Sequence, residues 1–392
     1  MPQNATLDKI RQALQTDRLM DTAVKLVEVP SPTCSATEVA DRFAEILAAE
    51  GLAVERPECG WAKAPAVVTR WSSGRSGRTA QFNGHLDTVH LPFVPPRIEN
   101  GIFYGTGVSD MKGGLAAALE ALRILRDTDL LPGGDILLTA HELHEGPWGD
   151  GSQVTKLIAE GFVGDAVLLP EYLSDQLPLV GRGMAIYTIK ITRDGEPVHE
   201  VLGGIEQPNV VHAGTDIVQR FRAIDARLQK EKTHPLAGRA SMFVGMARGG
   251  EIYNQSPTLY EIHGTRRWLA GTDIDAVRAE FDAVLTDVAK ETGTTIESDY
   301  QLCRDGYEID ADSPFVGAFN GACEAIMGQA LPAGAKPFVD DGHAFASLGG
   351  IPAITHGPNA FGAHTVNEEV AVSELERVAL VYALTAIGFC AG

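Results

Sequence analysis

Strand-like runs alternate with helix-like runs up to about residue 170 of this chain. This alternation constrains the fold more than any other feature, because it predicts a mostly parallel sheet covered by helices. Polar residues come directly after the strands: His85 follows the run at 79–83, and Glu171 follows the run at 166–169. The carboxyl ends of parallel strands meet at one edge of a sheet, so we expect an α/β fold with its functional site at that edge.

The pattern changes character in the middle of the chain. With 392 residues, the chain exceeds the usual size of a single domain. The segment 179–294 is typical of a compact α+β unit and contains none of the three metal-binding motifs described below, whereas the first pattern then resumes. We therefore predict a catalytic domain made of residues 1–178 and 295–392, interrupted by an inserted α+β domain at residues 179–294.

Composition excludes several classes of protein. The formal net charge is −20, so nucleic-acid phosphates and anionic lipid surfaces would repel the chain. On this ground we expect a protein that binds neither nucleic acid nor membranes. We also expect it to be cytoplasmic, because no run resembles a membrane span or a secretory signal. The cysteines form no CxxC pair and are expected to be reduced thiols: Cys34, Cys59, Cys303, Cys323 and Cys390.

Three motifs carry the residue types that bind divalent metals. They are GHLDT at 84–88, SDMKGG at 109–114 and GAHT at 362–365. Histidine nitrogens and carboxylate oxygens suit a borderline ion such as zinc. Asp87 stands two residues after His85, where its carboxylate can accept the second ring N–H and orient the ring for a metal. These motifs predict a metal-dependent hydrolase.

Each candidate also has an ordinary structural explanation. His85 and Asp87 alone are typical of a buried hydrogen bond at a strand end, and Asp110 is placed to cap the helix that follows it. Glu171, after an apolar strand, must either meet solvent or be paired. A lone His364 in a loop is more often structural than a ligand. Their joint occurrence at strand exits is what favours a metal site.

The order of the motifs resembles a known family. GHLDTV, the GxGxSDMKGG run, an acidic segment after a strand, a strand ending in Pro-Glu and GAHTxNEEV follow one another in the chain. This order resembles the aminoacylase, glutamate carboxypeptidase and succinyl-diaminopimelate desuccinylase family of metallopeptidases. The resemblance covers almost the whole chain, including the inserted unit, which resembles that family's lid and dimerisation domain. It implies a homo-oligomer formed through the inserted domain.

The resemblance also implies a pair of divalent ions, commonly zinc, manganese or cobalt, that share one aspartate. By this resemblance Asp110 would bridge the ions, while His85 and Glu171 would hold one of them. His364 would belong to the other ion, and Asp87 would support His85. Whether the chain holds one ion or two stays open, because it departs from the family pattern in one place.

The departure lies in the HELHE run at 141–145. The family has two adjacent glutamates there, the first a general base and the second a ligand. Matching the strand length puts Glu142 at the base position and Leu143, which cannot bind a metal, at the ligand position. Sliding the match makes His144 the base and Glu145 the ligand. We favour Glu142 as the base, because a carboxylate beside a metal-activated water is the usual proton shuttle. Glu145, with His141 and His144, remains a candidate ligand.

The inserted domain supplies further candidates through the same resemblance. His199 resembles the lid histidine that reaches a neighbouring subunit's site to stabilise an oxyanion, although a surface histidine in a hairpin is an equal alternative. Asn254 and Arg267 resemble groups that grip a substrate carboxylate, a task that an arginine fork suits. Arg266 competes with Arg267 for that role. His343 stands where the family has Asp-x-Arg, so substrate recognition is expected to differ here.

The leading prediction is hydrolysis of a C–N bond in a small carboxylate-bearing substrate, such as an N-acyl amino acid or a dipeptide. The altered 141–145 segment keeps a second reaction open, the replacement of an aromatic amine by hydroxyl as in 5-nitroanthranilate aminohydrolase. A third alternative is a non-catalytic metal-binding or assembly subunit. The intact histidines and carboxylates of the other motifs argue against that third alternative.

Overall fold

The computed structural model describes residues 3–231 and 233–391. The helices are α1 (Gln3–Ala13), α2 (Thr16–Val27), α3 (Thr37–Ala49), α4 (Lys112–Thr128), α5 (Ser152–Ala159), α6 (Val210–Leu228), α7 (Ile274–Thr292), α8 (Pro314–Met327), α9 (Asp341–Ser347) and α10 (Val372–Cys390). The strands are β1 (Val54–Glu55), β2 (Val67–Ser72), β3 (Thr79–His85), β4 (Arg97–Glu99), β5 (Ile102–Tyr104), β6 (Asp135–His141), β7 (Ala166–Leu169), β8 (Leu177–Gly181), β9 (Gly183–Thr192), β10 (Val198–His199), β11 (Ser241–Gly249), β12 (Gln255–Ser256), β13 (Leu259–Trp268), β14 (Thr295–Arg304), β15 (Tyr307–Glu308), β16 (Ala333–Lys336), β17 (Ala353–Thr355), β18 (Ala360–Phe361) and β19 (Glu369–Ala371). Short 3₁₀ helices cover Glu200–Leu202 and Gly204–Glu206.

The chain divides into two compact units. The first consists of Met1–Leu179, Ile309–Ala335 and Asp340–Gly392, and the second consists of Val180–Glu308 with Lys336–Val339. Among the described residues, no helix is both long and apolar enough to cross a membrane.

The central sheet of the first unit is mostly parallel, which confirms the predicted fold class. Its strand order is β1-β2-β6-β3-β7-β17, in which β6, β3, β7 and β17 run parallel, and β2 pairs antiparallel with both β6 and the edge strand β1. Helices α5 and α9 pack apolar side chains against β7, and α4 and α10 contact β3. Almost every residue of β3 and β6 is therefore buried, as expected for a sheet covered on both faces.

The polar strand ends meet at one edge of this sheet. Strand β3 ends at His85 and the adjacent β6 ends at His141, which is paired directly with His85 in the register. Strand β7 ends two residues before Glu171. The fold thus delivers these side chains to the same place, as the parallel arrangement requires.

A glycine pair lets helix α4 begin close to the end of β7. A Cβ on Gly114 would lie 2.2 Å from the carbonyl oxygen of Pro170, and one on Gly113 would lie 2.4 Å from that of Val108. Only glycine tolerates such an approach. Because Asp110 directly precedes α4 and Glu171 follows Pro170, this contact brings the two carboxylates together.

A small antiparallel sheet of the first unit, with strand order β18-β19-β5-β4, holds the loop that carries His364. His364 lies between β18 and β19, and Val370 of β19 pairs with Phe103 of β5. The chain continues from β5 towards Asp110, so the sheet joins the two loops that supply His364 and Asp110.

The second unit is an antiparallel sheet with strand order β11-β13-β9-β14, packed against α6 and α7 around Tyr187, Phe221 and Phe281. The sequence places its end at residue 294, whereas the structure keeps residues up to 308 in this unit. The reason is that β14 pairs with β9 along its whole length. The segment 295–304 therefore completes the inserted sheet before the chain returns to the first unit.

Candidate metal centre

Three side chains of the first unit converge at the end of the parallel sheet. His85 Nε2 lies 3.1 Å from Asp110 Oδ1 and 3.8 Å from Glu171 Oε1. All three residues are at least 95% buried. Such distances between donor atoms are what a shared ion bound at about 2 Å from each would require.

A second group shares Asp110 with the first. His364 Nε2 lies 3.2 Å from Asp110 Oδ2 and 3.1 Å from Glu145 Oε2. His364 is in the left-handed region, with φ 62°, a conformation that is uncommon for non-glycine residues and concentrates at functional sites. Asp110 therefore presents one carboxylate oxygen to each group, which is the arrangement of a bridging ligand.

His144 lies directly over His85. The two imidazole rings are parallel within 4°, with centroids 3.9 Å apart. His144 Nδ1 donates to Asp341 Oδ2 at 2.9 Å, and His144 Nε2 lies 3.7 Å from Glu171 Oε1. His141 Nε2 is 3.0 Å from the same Asp341 oxygen. Asp341 thus holds His144 with Nε2 towards the cluster.

Asp87 supports the site in a different way from the one that the sequence predicts. His85 Nδ1 donates to the main-chain carbonyl of Asp87 at 2.9 Å, while the Asp87 carboxylate is 3.7 Å away. The carboxylate instead accepts the main-chain N–H of His144 at 3.1 Å, that of Glu145 at 3.0 Å and the hydroxyl of Thr33 at 2.9 Å. Asp87 therefore orients His85 through its backbone and the 144–145 turn through its side chain.

Glu368 braces the loop that carries Asp110. Its carboxylate accepts the N–H groups of Gly107, Ser109 and Asp110 and the Ser109 hydroxyl, at 2.7 to 3.3 Å. Nothing in the sequence alone singles out this residue. Glu368 belongs to the NEEV run at 367–370, next to the His364 motif. Spacing alone, however, cannot distinguish a metal ligand from a residue that holds a ligand's loop in place.

The structure does not bring Glu142 to the cluster. Its carboxylate accepts the main-chain N–H of Ala36 at 2.9 Å and the indole N–H of Trp61 at 2.7 Å. Leu143, which follows, has φ 66°, so the chain turns sharply there and Glu145 rather than Glu142 faces Asp110. The geometry favours the alignment in which Glu145 is the ligand and His144 stands where the family has its base.

The charges of the cluster call for a cation. Hydrogen bonds to Asp110 and Glu145 raise the pKa of His364 to about 10. Burial opposes the protonation of His144, but the charge of Asp341 outweighs it and raises the pKa of His144 to about 9. Burial and the charge of Asp110 raise the pKa of Glu171 well above its usual value. Without a metal, the cluster therefore binds protons, either on a carboxylate or on a neighbouring histidine. A bound ion would displace these protons.

One buried atom points to the same conclusion. Glu171 Oε1 is buried and has no hydrogen-bond partner among the described residues, and an unsatisfied buried carboxylate oxygen is costly. Two sets of donor atoms lie within 4.8 Å of one another: His85, His144 and Glu171, and His85, Asp110 and Glu145. The mixture of imidazole nitrogen and carboxylate oxygen fits zinc, manganese or cobalt.

The candidates from the inserted segment all lie in the second unit. Asn254 Nδ2 is 2.9 Å from His199 Nε2, and His199 is exposed. Arg266 is 97% buried, donates to the carbonyl of Arg267 at 2.6 Å and faces Glu280 of α7. Arg267 is half-buried, and because successive residues of a strand face opposite sides, it lies on the other face of β13. This placement favours Arg267 over Arg266 for binding a ligand.

His343 is not one of the clustered side chains, but it helps to position one of their partners. It is fully buried in the first turn of α9, and its Nδ1 lies within 3.4 Å of both the main-chain nitrogen and the carboxylate of Asp340. This capping box begins the helix whose first residue is Asp341. His343 therefore helps to place the carboxylate that holds His144.

Comparison with known proteins identifies the family. The sequence profile of peptidase family M20/M25/M40 matches residues 81–387. The chain belongs to this family. The match spans the cluster and the second unit together, which confirms the resemblance seen in the motifs. Membership also makes the chain a metal-dependent hydrolase acting on C–N bonds.

Individual relatives agree with this assignment. A succinyl-diaminopimelate desuccinylase of Halorhodospira halophila is 28% identical over 389 residues, which cover 93% of this chain and 96% of that protein. Aminopeptidase PepT from Bacillus cereus has the same fold, with a TM-score of 0.78 and 19% identity over 96% of this chain and 99% of that one. YxeP of Bacillus subtilis, described as a dinuclear metal-binding peptidase of family M20, gives a TM-score of 0.67 and 16% identity over 95% and 97% of the two chains.

Proposed function

We propose that this M20/M25/M40 member hydrolyses the amide bond of a small carboxylate-bearing substrate, an N-acyl amino acid or a dipeptide, with two divalent ions. The observation that carries the proposal is the position of Asp110, which offers one oxygen to His85 and the other to His364. The similarity to a desuccinylase over nearly the whole chain supports the N-acyl amino acid class. The excess of acidic residues disfavours polyanionic substrates.

The ligands divide between two ions. His85, Glu171 and Asp110 would hold the first, and His364, Glu145 and Asp110 would hold the second. Bound divalent ions would lower the pKa of a water molecule towards neutrality and polarise the substrate carbonyl. The Asp87 and Glu368 contacts keep the ligands in place, and such supporting groups commonly matter almost as much as the ligands.

His144 is proposed as the general base in place of the family's glutamate. Asp341 engages His144 Nδ1, so Nε2 points towards the cluster, where bound cations would displace the proton that the charge of Asp341 otherwise keeps on this ring. Because the His144 and His85 rings are parallel and stacked, one ion cannot lie in both ring planes, which argues for His144 as a base rather than a second ligand of the His85 ion. His144 Nε2 would accept a proton from the attacking water and return it to the amine nitrogen as the C–N bond breaks.

The second unit is proposed to recognise the substrate carboxylate. Arg267 would supply a guanidinium fork and Asn254 an amide donor, while His199 would stabilise the developing oxyanion of a neighbouring subunit's substrate. These roles require a homo-oligomer formed through the second unit. Burial and the nearby Arg182 lower the pKa of Arg267, so an anion beside it would be favourable.

A substrate survey tests the proposal. The protein is stripped of metal, reconstituted separately with zinc, manganese and cobalt, and assayed with N-succinyl and N-acetyl amino acids, dipeptides and 5-nitroanthranilate. We expect hydrolysis of one of the first three classes, dependent on added metal and abolished in His85→Ala. Turnover of the aryl amine alone would replace the proposal with deamination, and metal binding without any turnover would leave a non-catalytic subunit.

Variants of His144 test the assignment of the base. His144→Ala is expected to lower kcat by about 100-fold or more with KM and metal content nearly unchanged. His144→Glu, which restores the glutamate of the family pattern, is expected to recover part of kcat. Loss of one metal equivalent in His144→Ala would instead make this residue a ligand.

A further inference from the structure

Trp148 is an exposed aromatic side chain three residues after Glu145, a member of the candidate metal cluster. It is 44% exposed, and one face of its indole is stacked on His90, with ring centroids 4.0 Å apart and planes within 5° of parallel. Both residues belong to the first unit. A tryptophan backed by a second ring on one side leaves its other surface free for a ligand.

The chain itself keeps each ring three residues from a residue of the candidate site. Trp148 lies three residues after Glu145, inside a turn closed by the hydrogen bond from Gly149 N to Glu145 O at 2.7 Å. His90 lies three residues after Asp87, and its Nε2 is 2.9 Å from the carbonyl oxygen of Thr33. Three residues span at most about 11 Å, so the ring pair lies within the reach of a small substrate bound at the cluster.

The ring pair is held in place rather than mobile on a loose loop. Thr33, which contacts His90 through its carbonyl, also donates its hydroxyl to the Asp87 carboxylate at 2.9 Å. That carboxylate in turn accepts the N–H of Glu145, at the start of the Trp148 turn. The segments that carry the two rings are therefore bound to the same carboxylate that supports the metal ligands.

Two apolar side chains near His90 in the sequence are also exposed. Leu91 and Phe93, on the segment that follows His90, are 41% and 39% exposed. Beside them the cluster itself is strongly acidic and polar. A substrate that placed its amide at the cluster and a flat apolar group on Trp148 would cover the exposed indole, whereas a small polar group would leave it in water.

We propose that Trp148, backed by His90, is a specificity-determining residue that binds an aromatic acyl group or aromatic side chain of the substrate. This inference rests on the proposed amide hydrolysis and narrows its substrate class to aromatic N-acyl amino acids or dipeptides. Aromatic groups prefer offset-stacked or edge-to-face contact with an indole, and such contacts add to the gain from burial alone.

Paired substrates test the inference. The metal-loaded enzyme is assayed with N-acetylphenylalanine and N-acetylalanine, and the ratio of their kcat/KM values is compared among variants. We expect wild type to prefer the aromatic substrate, and Trp148→Ala to lower the ratio by about 2- to 10-fold, the range that loss of an aromatic contact predicts. Trp148→Phe should retain most of the preference, and His90→Ala should lose part of it.

A matched control and a binding assay separate this inference from the proposed hydrolysis. Trp71→Phe alters an indole at the opposite end of the central sheet, paired with Ile136 rather than with the His141 end of β6, and should leave the ratio unchanged. N-acetyl-D-phenylalanine serves as a probe in isothermal titration calorimetry. If no amide is hydrolysed but Trp148→Ala weakens binding of this probe, the hydrolysis proposal fails and the aromatic site stands. Equal losses for both substrates, or unchanged binding, would overturn it.

Discussion

The carboxylate of Asp87 holds the main-chain N–H of Glu145 at 3.0 Å, rather than the ring of His85 two residues before it. This contact crosses from the end of β3 to the loop after β6. It fixes the turn that points the Glu145 side chain towards Asp110 and His364. The aspartate of the HxD motif therefore supports ligands of both proposed ions.

Glu145→Ala is expected to lower the metal content from two equivalents per chain to one, because Glu145 is the carboxylate that pairs with His364. Elemental analysis after reconstitution with zinc measures this. Glu142→Gln is the matched control: its side chain contacts Ala36 and Trp61, so it should keep two equivalents while losing about 1–3 kcal/mol of stability. Two equivalents in Glu145→Ala, or one in Glu142→Gln, would reverse the assignment.

Glu368→Gln is expected to weaken metal binding by about 10- to 100-fold, the usual range for a group that orients a ligand. The substitution removes the charge that holds the Ser109 and Asp110 N–H groups. Isothermal titration of the metal-free protein measures the change. Glu369→Gln alters the next side chain, which lies on β19, and should bind metal as wild type does. Equal affinities in the two variants would show that the brace is dispensable.

Gly114→Ala is expected to destabilise the protein by about 1–3 kcal/mol, because the new methyl group would meet the Pro170 carbonyl at 2.2 Å. The shift needed to relieve this contact would also separate Asp110 from Glu171, so metal affinity should fall. Chemical denaturation reports the stability. Gly317→Ala, in α8 with nothing within 4 Å of the new Cβ, should instead stabilise by up to about 1 kcal/mol.

His356 gives the stability a dependence on pH. It is buried beside Arg377, and burial together with this positive charge holds the pKa of His356 well below its usual value. Below about pH 6.5 the unfolded chain takes up a proton that the folded chain refuses, so stability falls as the pH decreases, by up to about 1.4 kcal/mol per pH unit.

A variant isolates this contribution. The free energy of unfolding of metal-free wild type and His356→Gln is measured between pH 7.5 and pH 5. The variant is expected to lose stability less steeply on acidification than wild type does. Parallel profiles would mean that His356 does not determine the slope.

The part of the candidate site that the sequence predicts correctly is the part that lies at the ends of the parallel strands. His85 and Glu171 are predicted to meet because parallel strands deliver their carboxyl ends to one edge, and this rule needs no knowledge of side-chain contacts. Asp110 and His364 follow no parallel strand, and only the order of the motifs pointed to them. The boundary at residue 295 failed for a related reason. Residues 295–304 form a strand that pairs only within the inserted sheet, and pairing is a long-range property that local composition does not contain.

The 141–145 segment shows where spacing alone is insufficient. The left-handed conformation of Leu143 redirects the chain, so the side chain that reaches Asp110 is not the one that a count along the strand indicates. The contact between Asp341 and His144 could not be predicted from the sequence for another reason. Asp341 belongs to α9, nearly 200 residues further along the chain from His144. Hydrogen bonds between such distant segments become apparent only once the fold is known.

The first and last long strands of the second unit are neighbours, with Met184 of β9 paired to Arg304 of β14. The segment that forms this four-stranded sheet therefore begins and ends at points separated by one strand spacing, about 5 Å. A link of a few glycines between these points would close the first unit with little loop entropy. The four-stranded sheet of the second unit is thus formed by one continuous segment, 184–304, which can be exchanged without cutting the strands that precede the candidate metal ligands.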